Sequence, residues 1–169
     1  MKFTILTSIL AACTVLAAPD GRCDRRNQPS TGEVKGAIQD WLQDVKTVNA
    51  FVDMRSPPTS AQASNALQFA KNEPNDLMVL SRICDVSDRY NRAVKNLNKV
   101  FGGVLSNLQS IVDNPSSAPQ AVANINQIRC CNVLPDLDVL WREAAERYRI
   151  KGQVQTNVPR PQACRSVRC

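Results

Sequence analysis

Leu77, Leu80, Ile83, Ser87, Tyr90, Val94, Leu97, Phe101, Val104, Leu108 and Ile111 recur at steps of three and four, and only Ser87 among them is polar. An α-helix repeats every 3.6 residues and a strand every two, so this segment can bury its apolar side chains together only as a helix. Gly102-Gly103 interrupts the run without loss of phase, which predicts a kink or short break. Asp85 and Arg89, and Asp88 and Arg92, stand four apart and are expected to pair on the outer face.

A second stripe, Val34, Ile38, Trp41, Val45, Val48 and Val52, has the same period. Ser30 and Glu33 form a capping-box pair at its start. "RSPPTS" (55–60) ends it, because tandem prolines cannot continue a helix. Thr59 and Gln62 repeat the pattern and open an Ala-rich helix to about Ala70, which "NEPND" (72–76) breaks. "DNPSSAP" (113–119) reads as a loop. Ser117 and Gln120 form a third capping pair for a helix running to about Cys131. The last helix starts between Asn132 and Asp136, with Pro135 in its first turn. It turns Leu137, Leu140, Trp141, Ala144 and Tyr148 inward and ends at Lys151-Gly152. No strand-like alternation occurs, so the expected fold is all-α: one bundle of about five helices.

The first residues set the compartment. Met1-Lys2, the apolar run 3–16 and "VLAAP" have the layout of a secretory signal peptide, cleaved after Ala17. The run is shorter than the roughly 20 residues a bilayer span needs, and no membrane span is expected. Residues 18–169 then form one exported domain, with an irregular basic tail from about residue 152. Losing Lys2 lowers the net charge from +6 to +5. Cys13 leaves as well, and Cys23, Cys84, Cys130, Cys131, Cys164 and Cys169 remain. Six cysteines in an oxidising compartment predict three disulfides. Cys130 and Cys131 are adjacent in "IRCCNVLPDLDVLW" (128–141). Joining them to each other is strained, so each is expected to bond elsewhere. One candidate partner is Cys84 on the long helix; the other is Cys23 or the tail.

The chain contains no histidine. This excludes Ser-His-Asp and Cys-His catalysis and most transition-metal sites. The carboxylate pairs Asp85/Asp88, Asp136/Asp138 and Glu143/Glu146 have basic neighbours or helix-start positions that account for them, which leaves a carboxylate hydrolase the least favoured reading. No cofactor or metal is expected. From Arg147 onward the tail carries Arg147, Arg149, Lys151, Arg160, Arg165 and Arg168 and no acidic residue, a candidate surface for an anionic polymer or lipid headgroup. Two Trp and no aromatic–basic interleaving argue against specific nucleic-acid recognition. Trp41, Val45, Leu97, Phe101 and Trp141 are candidate lining residues for an apolar ligand between helices, or plain core. Arg25-Arg26 is a dibasic pair that reads either as a processing site or as an exposed basic turn.

"MKFTILTSILAACTVLAAP" resembles signal peptides of filamentous fungi. "IQDWLQDVKTVNAFVD" and "INQIRCCNVLPDLDVLW" are similar to small secreted, cysteine-containing helical proteins of those fungi, and the first piece also resembles their hydrophobic surface-binding proteins. The resemblance implies secretion to the wall or medium, an effector-like role and no catalytic residues. Its expected partners are a cell wall, an apolar surface, a host component or a lipid. The overall expectation is a non-enzymatic binding protein, with a lipid carrier as the alternative.

Overall fold

The computed structural model describes residues 24–169. The expected signal peptide and Cys23 lie outside that range. Six α-helical segments and no strand occur among the described residues: α1 (Thr31–Val52), α2 (Ser60–Ala70), α3 (Glu73–Ser81), α4 (Asp88–Asp113), α5 (Ala118–Ile128) and α6 (Leu134–Arg147). The all-α expectation holds, with six segments where about five were expected.

Two of the three capping boxes form. The Ser30 side chain accepts from Glu33 N while Glu33 returns to Ser30 N, and Thr59 and Gln62 do the same. Each such cap contributes about 1 kcal/mol. The third does not form. Ser117 has helical backbone angles and makes no cap bond; its hydroxyl donates to the Ser110 and Asn114 carbonyls instead.

The long stripe of residues 77–111 is not one helix. α3 stops at Ser81, residues 82–87 form a break, and α4 begins behind Ser87. Ser87, the polar member of the stripe, is the N-cap of α4 and accepts from Tyr90 N. Cys84 therefore sits in this break rather than on a helix. Asp85, in the left-handed region at φ 52°, takes Arg147 and Arg25 as ion partners. The expected Asp85–Arg89 and Asp88–Arg92 pairs do not form, because Asp85 is not helical and Asp88 has no ion pair among the described residues. Gly102-Gly103 produces no break either: α4 runs through both.

A second correction concerns the α5–α6 junction. Residues 129–133 form a π-helical turn that joins the two helices without interruption. Pro135 has no N–H to give to the Cys131 carbonyl. Leu134 N instead reaches back five residues to Arg129 O, which is the π spacing. α6 ends at Arg147 with Tyr148 as its C-cap, not at Lys151-Gly152. Arg149 is left-handed at φ 57°. Its N–H bonds Glu146 O, and Ile150 N bonds Ala145 O at 2.9 Å, which closes a Schellman motif.

α4 packs against α2, α3, α5 and α6, and α1 packs against α2 and α3. Between them lies one core. At its centre the Trp41 ring lies 5.9 Å from Phe101 and 6.4 Å from Trp141, edge-on to the latter. The tail beyond Ile150 buries only Val158 and Pro161, too little apolar area to hold itself down. Cys130–Cys164 and Cys131–Cys169 staple it to the π turn. Closing loops with separations of 34 and 38 residues stabilises by about 4 kcal/mol each in the chain-entropy picture. Both adjacent cysteines thus bond the tail, which was one of the two partners expected for one of them, and the tie expected from the other to Cys84 does not form. Cys84 is buried and also disulfide-bonded.

Candidate binding site

The five residues considered as a ligand lining, Trp41, Val45, Leu97, Phe101 and Trp141, are all core, the most exposed at 5 %. They pack on one another. The space available to a ligand lies elsewhere, on the outer side of the α1–α2 hairpin. There an open groove of about 610 Å³ is lined by Gln43, Lys46, Thr47, Ala50, Phe51 and Met54 of α1 and its C-terminal end, and by Ala61, Gln62, Asn65 and Ala66 of α2.

The groove follows from side-chain size and helical period. On α1 its residues recur at steps of three and four, so they form one face. That face is adjacent to the core stripe, and Phe51 belongs to both. α2 answers it with Ala61 and Ala66, which cannot fill the space beside Phe51 and Met54. A second hollow of about 220 Å³ meets the first at Phe51 and Met54. Its other walls are Val52, Arg55, Ser56, Pro57 and Pro58, with Ala118, Pro119 and Val122 of α5. Pro57 and Pro58, which follow α1, and the first residues of α5 thus line one hollow together.

Only two charged residues line these surfaces, Lys46 and Arg55, and both are cationic. Both are exposed, and neither has an ion-pair partner among the described residues. Asp44, two residues from Lys46, is buried, and Asp53, two residues from Arg55, is occupied: it accepts from Gln162 N at 2.8 Å and Ala163 N at 3.1 Å in the stapled tail. An apolar floor with an uncompensated positive rim suits an amphiphile with an anionic head.

The basic tail is partly neutralised. Arg147 pairs with Asp85 at 2.7 Å, Lys151 with Glu146 at 2.9 Å, and Arg160 with Asp138. Arg149, Arg165 and Arg168 have no ion pair among the described residues. Of the three carboxylate pairs considered, every member but Asp88 is likewise engaged. Glu143 accepts from Ser87 Oγ, Asp136 from Asn96, and Asp138 from Val158 N. Burial raises the Asp136 pKa, against the Asn96 hydrogen bond and the Arg89 charge.

Two polar features were not anticipated from the sequence. Glu73 and Arg129 are fully buried and paired at 3.1 Å. Trp41 Nε1 donates to Glu73 at 2.9 Å, Arg129 donates to Asn49 Oδ1 at 3.2 Å, and Asn49 Nδ2 donates to the Pro159 carbonyl at 2.8 Å. This cluster links α1, α3, the π turn and the tail. Arg129 Nε, Asn126 Oδ1 and Trp141 Nε1 are buried without a hydrogen-bond partner among the described residues. Beside it, burial raises the Asp44 carboxyl to about 6 and Asp76 to about 8, with Asp40 and Glu73 adding repulsion to each. A signal for the ion pair was present. Glu73 lies four residues before Leu77 and Arg129 four after Ile125, so each places a charge on an apolar stripe. The groove had no such signal, since exposed Lys, Gln and Ala read as a solvated face.

Among the described residues, no group of three or more His, Cys, Asp or Glu could hold a metal ion, and no helix is long and apolar enough to cross a membrane. No protein-family model, curated protein or solved structure matches this chain.

Proposed function

We propose that the chain is an exported, non-enzymatic binding protein whose α1–α2 groove takes an amphiphile with an apolar tail and an anionic head. The observation that carries this reading is the open groove floored by Phe51, Met54, Ala50 and Ala66, with Lys46 its one charged lining residue. Its volume is within the usual range of small-molecule sites, about 300–1,000 Å³. The carrier reading thereby moves from the core to the surface of the hairpin. The same apolar floor suits adsorption to an apolar surface. Export is supported by the leader-like start and by the disulfides, which persist in oxidising compartments. Cys84 is disulfide-bonded as well, while the other four described cysteines join each other.

The test is titration of the full disulfide-bonded protein with a fluorescent long-chain carboxylate, alongside native mass spectrometry. Ala50→Trp and Ala61→Trp fill the groove from opposite helices and are expected to weaken binding at least about tenfold, equivalent to 1.4 kcal/mol. Lys46→Gln is expected to weaken the carboxylate up to about fivefold, the scale of an exposed ion pair, and to leave the matching alcohol unchanged. Equal binding by wild type and both Trp variants would refute the site.

A further inference from the structure

Arg25-Arg26 is the only adjacent pair of basic residues in the chain. We propose that it is a maturation site. A dibasic-specific endoprotease of the secretory pathway hydrolyses the Arg26–Asn27 bond, and the upstream residues stay attached through the disulfide of Cys84.

Two adjacent guanidinium groups matter because such a protease reads each with its own acidic subsite. Both are presented: the Arg25 and Arg26 side chains are 77 % and 94 % exposed. A protease also needs its substrate drawn out into an extended strand, so the cost of unwinding the segment decides whether the bond can be cut. Here that cost is small. Arg25–Asn27 is a single 3-10 turn with no buried residue. Its hydrogen bonds are local, from Asn27 N to Asp24 O at 3.0 Å and from Arg26 N and the Asn27 side chain to the Asp24 carboxylate. Among the described residues its one ion pair beyond the turn itself is Arg25–Asp85 at 3.4 Å, and Asp85 has a closer partner in Arg147.

The body begins immediately behind the bond. Tyr148 Oη donates to the Pro29 carbonyl at 2.8 Å and accepts from Gln28 Nε2 at 3.1 Å. Pro29 is buried and Ser30 caps α1. A cut after Arg26 therefore leaves every hydrogen bond of the helical body in place. Other exposed arginines lack this combination: Arg149 is locked in a Schellman motif, and Arg165 lies next to a disulfide-bonded cysteine in a tail closed at Cys169. In the hydrolysis, water adds across the amide. Its oxygen goes to the Arg26 carbonyl carbon, giving a carboxylate, and Asn27 leaves as an amine, with no redox partner required. The tether rests on the disulfide of Cys84: the other four described cysteines pair with one another, so its partner lies upstream of the cut.

The experiment treats the full disulfide-bonded chain with a purified dibasic-specific serine endoprotease and reads intact mass before and after reduction. Wild type is expected to gain the mass of one water and lose nothing until reductant is added. Reduction then releases the upstream peptide and leaves a chain starting at Asn27. Arg26→Gln is expected to resist cleavage with an unchanged circular dichroism spectrum and urea midpoint. Two results would overturn the site: survival of wild type at protease levels that cut an unstructured peptide spanning 20–31, or cutting at single arginines as fast as after Arg26. Release of the upstream peptide without reductant would overturn the tether. None of these readouts depends on groove binding, so failure here and failure of the amphiphile reading are distinguishable.

Discussion

Arg129→Met should cost about 3–5 kcal/mol of folding stability, a large share of what a domain of this size has. The figure comes from what the substitution leaves behind. Glu73 and Arg129 are both fully buried. Met is close to Arg in length, so little volume is lost, but the Glu73 carboxylate keeps only the Trp41 Nε1 donor at 2.9 Å, and Asn49 Oδ1 loses the Arg129 N–H. An uncompensated buried charge then dominates. Glu73→Leu should cost a similar amount, by stranding the guanidinium and the Trp41 N–H. The double variant Glu73→Leu/Arg129→Met removes both charges and leaves two neutral groups short of a partner, each costing about 1–3 kcal/mol. Avoiding the desolvation of two ions offsets part of that. The double variant should therefore be at least about 2 kcal/mol more stable than the sum of the single effects requires. Urea unfolding at pH 7 with disulfides intact measures all four corners of the cycle. If a single variant fails to fold, recovery of folding in the double variant reports the same coupling. Single costs below about 1 kcal/mol, or additive effects, would refute the claim that a buried ion pair holds α3 to the π turn.

Two further outcomes are expected. Asp76 and Asp44, raised from 3.8 to about 8 and about 6, retain protons in the folded state that the unfolded chain has lost, so stability should fall as pH rises from about 4 to about 8 and level off above. Urea midpoints across that range should show the fall, and Asp76→Asn should raise stability at pH 8 by about 2–4 kcal/mol while flattening the curve; a midpoint that rises over that window in wild type would contradict this. Gly102→Ala, with open space around a new Cβ, should stabilise the uninterrupted α4 by about 1 kcal/mol, whereas at Gly103 the Cβ would come within 2.8 Å of Ile128 Cδ1 and the gain should vanish. Equal gains at both positions in thermal unfolding would mean that the Gly103 face does not meet α5.

Much of the fold was legible because it rests on local rules. The 3.6-residue stripes named most of the buried apolar residues of α1 and α4, missing Ala37, Phe51 and Ala93, and Ser30/Glu33 and Thr59/Gln62 marked two helix starts through bonds spanning three residues. Periodicity failed where phase survived a break. The residues of α3 and α4 stay in register across 82–87, so their stripe looked continuous, and Ser87, its one polar member, was the cap. Pro135 was read as the first turn of a separate helix, yet the chain answers it with a wider turn that joins that helix to the one before it. Among the functional features, the disulfide-forming cysteines were visible and their pairing was not, since six cysteines allow fifteen connectivities.

By itself the sequence determined that this chain must be helical, which residues face inward, and which chemistries lack their residues, because these depend on period and composition. The tertiary structure alone decided that both adjacent cysteines clamp the tail, that Glu73 meets Arg129 56 positions away, and that Phe51 and Met54 face alanines across a groove. Each of these depends on distances between segments remote in the chain, which no local pattern encodes.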